Sequence, residues 1–288
     1  MSVSGAHTIT NGSVHIFNGG SLFVLAGGST PTAEANVVRT FDEINSMELF
    51  WDANDQSKIL GDDGSPVTSD SQPVTTWWSN LRPMKIVPID GATLTTTVDV
   101  NGRRFVRDTP VGGMAISVVN PDTGLVGLKI ADRSLFCVVS TTDVQSSAVF
   151  IHKGLNSPTS NYPLVGNFNF TTNIGRVDLR VNVNGTVRTV TVMGASMVPG
   201  QQYTVGMQIW QDGNDVVIWA RAGNSATPVV NRVTANTFVE SIHDIRFGKH
   251  TSSSFRSNVY RVEFSSRLLT MNEFNTRYET LKAQYATL

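Results

Sequence analysis

The stretch "YTVGMQIWQDGNDVVIWARA", residues 203–222, indicates the fold most directly. Two strand-like runs flank the tip "QDGND", which predicts an antiparallel hairpin with a comparatively long loop. Further hairpins are predicted where Asn101-Gly102 and Asn184-Gly185 separate strand-like runs, because both central residues of a type I′ turn take positive φ. A succession of short strands joined by such turns is typical of a two-sheet antiparallel sandwich.

One segment interrupts this pattern, at "LLTMNEFNTRYETLKAQY", residues 268–285. Thr270 and Glu273 have the spacing of a capping box, in which each residue bonds the backbone amide of the other at a helix N-terminus. Four apolar residues then recur at helical spacing, on one face: Phe274, Tyr278, Leu281 and Tyr285. The sequence therefore predicts a single C-terminal helix that packs as a lid on a sheet.

The N-terminal 42 residues have a different organisation. They contain two short alternating runs, "SVHIF" and "SLFVL", followed by the linker-like "GGSTPTAEAN". Two such strands bury too little surface to be stable alone, so they must pack on a partner, on copies of themselves or on the rest of the chain. We therefore predict an N-terminal β-rich arm over residues 1–42 that makes the protein a homo-oligomer, with a trimer preferred, and a second domain over residues 43–288. The alternative is that both runs add strands to the same sandwich.

Composition excludes several functions. Charged residues make up 16% of the chain and the formal net charge is -1, so no long-range field attracts nucleic acid or anionic lipid. No run of about 18 apolar residues is present, and the first residues lack the features of a signal peptide, so we expect a soluble, non-exported protein with no membrane insertion. Cys137 is the only cysteine and is expected to be a buried small hydrophobe.

The stretch "LFWDANDQSKIL", residues 49–60, has three possible interpretations: a calcium loop, a sugar-binding turn or the edge of a core. It lacks the glycine and the distal bidentate Glu of an EF-hand loop. The favoured interpretation is that Trp51 packs in the sandwich while Asp52 and Asp55 bond backbone amides of the turn. No cofactor is predicted, and the calcium loop remains the alternative.

Five segments, taken in order, resemble one known family. They are "LFWDAND", "VTTWWSN", the hairpin "QQYTVGMQIWQDGNDVVIWARAG", "IHDIRFGK" and "VYRVEFSSRLLTMNEFNTRYETLKAQY". Together they resemble the concanavalin A-like jelly rolls of the laminin-G-like type common in bacteriophage virion proteins. The resemblance covers residues 44–288 and is most specific at Glu263, Arg267, Leu268 and Glu273. It departs from the family after the second Trp, where "WWSNLRP" replaces a Ser-Gly-Asn-Gly run, and residues 1–42 match nothing in the family.

The resemblance implies an all-β, two-sheet antiparallel jelly-roll sandwich with one C-terminal helix, preceded by the short β-rich arm. It also implies a protein of the virion surface, attached to capsid or tail, with other virion proteins as partners through residues 1–42. Three functions follow: adhesion of the jelly roll to cell-surface carbohydrate, a decoration or fibre-head protein without a ligand, or a glycan-cleaving enzyme.

Catalytic motifs do not support the third function. No His-Glu-x-x-His pair, Gly-x-Ser-x-Gly elbow or phosphate-binding glycine loop is present in the sequence. Glycoside hydrolysis needs two facing carboxylates, and no strand carries the closely spaced Glu, Asp and Glu of glycosidases on this fold class. Asp62-Asp63 and Asp212 with Asp215 lie in Gly-rich turns that they are expected only to solvate. We therefore predict a protein that is not an enzyme.

Carbohydrate recognition needs only an exposed aromatic ring and a few polar groups. The candidates lie at the start of the loop after "WWSN" and in the polar segment "IHKGLNSPTSNYP", and they are Trp78, His152, Asn156 and Tyr162. Four other tryptophans occupy alternating apolar positions and are predicted to be core residues: Trp51, Trp77, Trp210 and Trp219. No metal ligand is predicted.

Overall fold

The structure is a computed structural model of the chain. It describes residues 7–9, 12–17, 21–26, 48–80, 84–108, 112–117, 128–141, 148–153, 164–169, 176–183, 186–193, 199–234, 237–238, 244–250, 253–254, 257–285 and 287.

The described residues are mostly β-strand. The N-terminal and central strands are β1 His7–Ile9, β2 Gly12–Phe17, β3 Ser21–Ala26, β4 Leu49–Asp52, β5 Ile59–Leu60, β6 Pro73–Val74, β7 Thr76–Trp78, β8 Lys85–Ile89, β9 Leu94–Val98, β10 Arg104–Asp108, β11 Gly113–Ser117, β12 Arg133–Ser140 and β13 Ala148–Lys153. The remaining strands are β14 Leu164–Asn169, β15 Arg176–Val183, β16 Thr186–Met193, β17 Gln202–Asp212, β18 Asp215–Ala222, β19 Val229–Val233, β20 Ile245–Phe247, β21 Lys249–His250, β22 Ser253–Ser254 and β23 Asn258–Phe264. A 3-10 turn spans Gln56–Lys58 and the helix α1 spans Met271–Tyr285.

Two large antiparallel sheets form the sandwich. The first, here called the helix-side sheet, has the order β19-β18-β17-β12-β23-β10-β9-β6, with β4 also paired to β23. The opposite sheet has the order β16-β15-β14-β13-β20-β11-β8-β7-β5. About half of the neighbouring strands are consecutive in the chain, and the other neighbours, such as β12 and β23, are brought together by crossover connections. The predicted all-β sandwich with one C-terminal helix is confirmed.

The main core lies between the two sheets and is made by alternate residues of their strands. In β17 and β18 these inward residues are apolar at every second position: Val205, Met207, Ile209, Val216, Ile218, Ala220 and Ala222. Trp51 and Trp77 are fully buried in the same core, as predicted. Cys137 is also fully buried, and burial raises the pKa of its thiol, so it acts as a small hydrophobe.

The two hairpin loops that the structure describes differ from the predicted ones. Around Asn101 and Gly102 the loop between β9 and β10 spans residues 99–103 and is closed by the Asp99 amide bonding the Arg103 carbonyl at 2.9 Å, so it is not a two-residue I′ turn. The β17–β18 hairpin is shorter than predicted, because Asp212 pairs with Asp215. Gly213 has φ 59°, which suits the first central position of a type II′ turn. The Asn184-Gly185 loop lies outside the described residues, and its strands pair as a hairpin.

Helix α1 begins as its capping box predicts. The Thr270 amide bonds Glu273 Oε2 at 2.9 Å, and the Glu273 amide bonds Thr270 Oγ1 at 3.4 Å. The helix covers the outward side of the helix-side sheet with the four residues that the spacing placed on one face: Phe274, Tyr278, Leu281 and Tyr285. Among the described residues, no helix combines the length and the apolar character needed to cross a bilayer.

The three N-terminal strands form a sheet of their own. β2 pairs with β1 and with β3, both antiparallel. Within the described part of the chain, none of these strands shares a ladder with either sheet of the sandwich. The prediction of a separate arm over residues 1–42, and its alternative that these strands join the sandwich, both stay predictions.

Candidate functional site

Two of the four residues predicted to bind carbohydrate, Trp78 and His152, are covered in the structure. Trp78 ends β7 and is 4% exposed, with the Lys85 ammonium 5.2 Å from its ring centre. His152 lies in β13 and is fully buried. Both side chains are covered, and a sugar cannot stack on a covered ring, so this part of the prediction needs correction. Asn156 and Tyr162 lie outside the described residues.

The segment around Asp52, residues 49–60, is part of the scaffold. Asp52 Oδ1 accepts a hydrogen bond from the Asn54 amide at 2.9 Å and another from the Tyr285 hydroxyl at 2.9 Å, while Asp52 Oδ2 pairs with Arg261. Asp55 bonds the Ser57 hydroxyl at 2.6 Å rather than a backbone amide. Within the described ranges, no group of three or more His, Cys, Asp and Glu side chains is placed to hold a metal ion.

A groove of about 660 Å³ runs between β4, β23 and α1. Its floor and walls are Glu48, Leu49, Phe50, Phe136, Arg261, Glu263, Phe264, Ser265, Leu269, Asn272, Glu273, Thr276, Arg277 and Thr280. At its centre Glu263 pairs with Arg261 and with Arg277, whose Nε donates at 2.6 Å. The charged groups are thus satisfied by one another, and the network fixes the helix to the sheet.

One carboxylate of this groove, Glu273, is poorly suited to proton donation. Glu273 is bonded by Arg267 and by Thr270, and these bonds lower the pKa of its carboxyl from 4.5 to about 2. A general acid for glycoside hydrolysis needs the opposite shift, since it must hold its proton near neutral pH. Glu263 is held in ion pairs with two arginines. The groove therefore has the chemistry of a structural contact.

A different surface combines aromatic rings with polar groups. On β17 and β18 the inward residues alternate with outward ones, and the outward set includes Trp210 and Trp219. Both rings are half-buried and lie outside the core between the sheets, which corrects the prediction for Trp210, while Trp219 packs at the edge of the buried cluster under the helix. Their centres are 5.1 Å apart and their planes are at 88°, an edge-to-face pair. Val230, opposite Trp219 on β19, is 51% exposed.

The helix holds one of these rings in place. Phe274 of α1 lies edge-to-face against Trp219, with 5.9 Å between ring centres. Phe274 can approach the sheet closely because Gly206 lies beneath it: a Cβ at Gly206 would be 2.8 Å from the end of the Phe274 ring. Trp219 is therefore fixed by the lid on one side, while Trp210 stands farther along β17.

Charged side chains lie at the hairpin end of the same surface. Arg232 donates to Asp212 Oδ2 at 2.7 Å and to Asp215 Oδ2 at 2.9 Å. Both hydrogen bonds raise the pKa of the Arg232 guanidinium above its ordinary value, and the bond to Asp215 contributes most. The two aspartates were expected only to solvate their turn, and instead they hold an arginine across three strands. We call this surface the open face; it consists of Trp210, Asp212, Asp215, Trp219, Val230 and Arg232.

The sequence contained a signal for the open face. The apolar residues Val205, Met207 and Ile209 set the inward parity of β17, which puts Trp210 on the other side with Gly206 and Gln208. Counting from Ile218 in β18 puts Trp219 outward in the same way. Large apolar residues lie on both sides of these strands, so residue type alone does not identify the core.

Comparisons with known proteins agree with the fold. No protein-family model and no curated protein matches the chain. Among solved structures, the receptor binding domain of botulinum neurotoxin D is similar with a TM-score of 0.52 at 8% identity, over 83% of this chain and 54% of that one. Trypanosoma rangeli sialidase is similar with a TM-score of 0.50 at 13% identity, over 88% of this chain and 35% of the sialidase. The chain thus spans about half and about a third of these structures, and it shares with them a β-sandwich fold.

Proposed function

We propose that this protein is an adhesion protein whose sandwich binds cell-surface carbohydrate through the open face. The observation that carries this proposal is the pair of half-buried rings, Trp210 and Trp219, beside the Arg232 cluster. A pyranose presents an apolar face of C–H groups that packs on an indole, while its hydroxyls bond carboxylates and guanidinium groups nearby. The open face offers both kinds of contact on a single rigid sheet.

The rigidity of this surface supports binding. Trp219 is held against Phe274, and the Asp212 and Asp215 side chains are held by Arg232. Groups that are already ordered lose less entropy when a ligand binds. The fold of a toxin domain that is named for receptor binding also agrees with a binding role for a sandwich of this kind.

Binding is a better proposal than cleavage for the open face. Asp212 and Asp215 are the carboxylates of its hairpin, and both are engaged with one guanidinium. Hydrolysis would need one carboxyl held protonated and a second free to act as base or nucleophile. Here one guanidinium holds both carboxylates, so neither is left free for such a role.

The test is the substitution Trp210→Ala. It should weaken binding on a glycan array and in calorimetry by about 1–2 kcal/mol, roughly five- to thirtyfold, because one stacking surface is lost. The melting temperature should change little, since the ring is only half-buried.

Val187→Ala is the matched control, because Val187 is 54% exposed on β16 of the opposite sheet. It should bind glycan as the unaltered protein does. If Trp210→Ala bound every glycan with unaltered affinity, the open face would not be the site.

We further propose that the protein is a bacteriophage virion surface protein, attached and trimerised through residues 1–42. The order of the five jelly-roll segments supports this assignment, and so does the separate β1–β3 sheet, whose outer strands have unpaired edges within the described residues. The competing proposal is a decoration or fibre-head protein without a ligand. Such a protein would still form the oligomer but would bind no glycan.

Light scattering on the full chain and on a truncated chain tests whether residues 1–42 form the oligomer. A truncated chain that starts at Glu43 should be a folded monomer, whereas the full chain should be an oligomer. Circular dichroism on both chains shows whether the sandwich remains folded. An aggregated or unfolded truncated chain would mean that the arm is part of the sandwich, and the anchoring role would then be wrong.

A further inference from the structure

The charges of the open face are unevenly distributed. Its exposed cation, Arg232, contacts two carboxylates, Asp212 and Asp215. A third acid, Asp132, is exposed at the turn before β12, and its amide bonds the Ile209 carbonyl at 2.9 Å, next to Trp210 in the chain. The open face itself therefore carries two carboxylates and one exposed guanidinium, and Asp132 adds an exposed acid near its edge, next to the buried Arg133.

Arg221, the outward arginine of β18, does not alter this balance of charge. Arg221 is 3% exposed, pairs with Glu279 and lies over the Tyr278 ring at 4.2 Å, all beneath the helix. A ligand on the rings of the open face cannot reach its guanidinium. Arg232 is thus the arginine that the strand register presents to such a ligand, and its two guanidinium nitrogens Nη1 and Nη2 are already donating.

We propose that the open face selects uncharged sugars, hexoses and N-acetylhexosamines, and rejects sialic acids and uronic acids. This selectivity rests on the proposed carbohydrate adhesion and names its ligand class. An acidic sugar needs a free cation for its carboxylate, and here the cation is neutralised in advance. The same sugar carboxylate would also meet the repulsion of the surrounding aspartates.

An uncharged sugar meets no such obstacle. Its hydroxyls can donate to the remaining acceptor positions of Asp212 and Asp215, because each carboxylate oxygen accepts more than one hydrogen bond. The apolar C–H face can then rest on Trp210 or Trp219 without displacing the ion pairs. The aspartates thus serve recognition and exclusion together.

The experiment measures the affinity of the full chain for lactose, N,N′-diacetylchitobiose and 3′-sialyllactose. At least one uncharged sugar should bind. Sialyllactose should bind about tenfold more weakly, or not at all, because its carboxylate would lie close to the like charges of the aspartates. The double variant Asp212→Asn with Asp215→Asn removes both ion pairs of Arg232. It should reduce the difference in affinity between the uncharged sugars and sialyllactose. Asp62→Asn with Asp63→Asn is the control, because it removes the same charge from a different exposed turn and should leave the ratio unchanged.

The outcomes separate the two proposals. Preferential binding of sialyllactose by the unaltered protein, or an unchanged ratio in the Asp212/Asp215 double variant, would overturn the selectivity and leave carbohydrate adhesion intact. If none of the three sugars, nor any other on a glycan array, bound to the protein, adhesion itself would be wrong, and the selectivity with it. Higher salt should raise the affinity for sialyllactose relative to lactose, since it screens the aspartates.

Discussion

The outward side of the helix-side sheet consists of two neighbouring regions that differ in one respect. Under α1 it carries Phe136, Val138 and Tyr260, all nearly inaccessible to solvent. Beyond the helix it carries Trp210 and Trp219, which remain half-buried. Both regions are apolar, so residue type does not distinguish them; the presence of a covering helix does. An apolar surface that the described residues leave open, with polar groups beside it, has the features of a binding surface.

The largest expected effect tests the covered region. Phe274→Ala should lower the free energy of unfolding by about 3–5 kcal/mol, because a fully buried ring is removed from between the helix and the sheet. Denaturant unfolding measures this. Met271→Ala, on the same helix at a residue that is 38% exposed, is the control and should have a small effect. A Phe274→Ala protein as stable as its parent would mean that the helix does not stabilise the sheet.

A second substitution probes how closely the two layers approach. Gly206→Ala should destabilise by about 1–3 kcal/mol, because the new Cβ would meet the Phe274 ring at 2.8 Å and Phe136 at 3.0 Å. In a Phe274→Ala background part of this cost should disappear, since one of the two clashes is removed. A double-mutant cycle measures the coupling. Strictly additive effects would contradict the contact.

The smallest effect concerns the helix start and depends on pH. The pKa of Glu273 is depressed to about 2 in the folded protein, below its ordinary value of 4.5, so its contribution to stability is present above about pH 4.5 and is lost as pH falls through about 2. Glu273→Gln should therefore be less stable at pH 7. The difference in melting temperature between the two proteins should shrink toward pH 2; a constant difference would contradict the assignment.

Local patterns in the sequence predicted much of the fold. The capping box and the spacing of Phe274, Tyr278, Leu281 and Tyr285 specify the helix and its buried face without any distant information. The alternation around Trp51 likewise identifies a core strand. These features were predictable because one short segment contains all the residues that decide them.

The candidate site depended on contacts that a local pattern does not contain. In "WWSN" the adjacent tryptophans must face opposite sides of β7, and the sequence does not state that the outward one, Trp78, is covered. The open face requires β17, β18 and β19 together, and Arg232 reaches Asp212 and Asp215 only when β19 pairs with β18. Strand parity would have placed Trp210 and Trp219 outward, but only the position of the helix shows which outward rings stay uncovered.

The bonds of Asp52 also have a mechanical consequence. This residue ends β4, the strand by which the arm enters the sandwich, and it is bonded to Arg261 in β23 and to Tyr285 at the end of α1. Tension between an anchored arm and a sugar held on the open face would enter the domain at β4. Four residue pairs join β4 to β23, and the Asp52 contacts lie at the far end of that ladder from the arm. Under the proposed adhesion, force along β4 would be shared between the β4–β23 ladder and the Asp52 bonds, and this sharing would help the sandwich to stay folded.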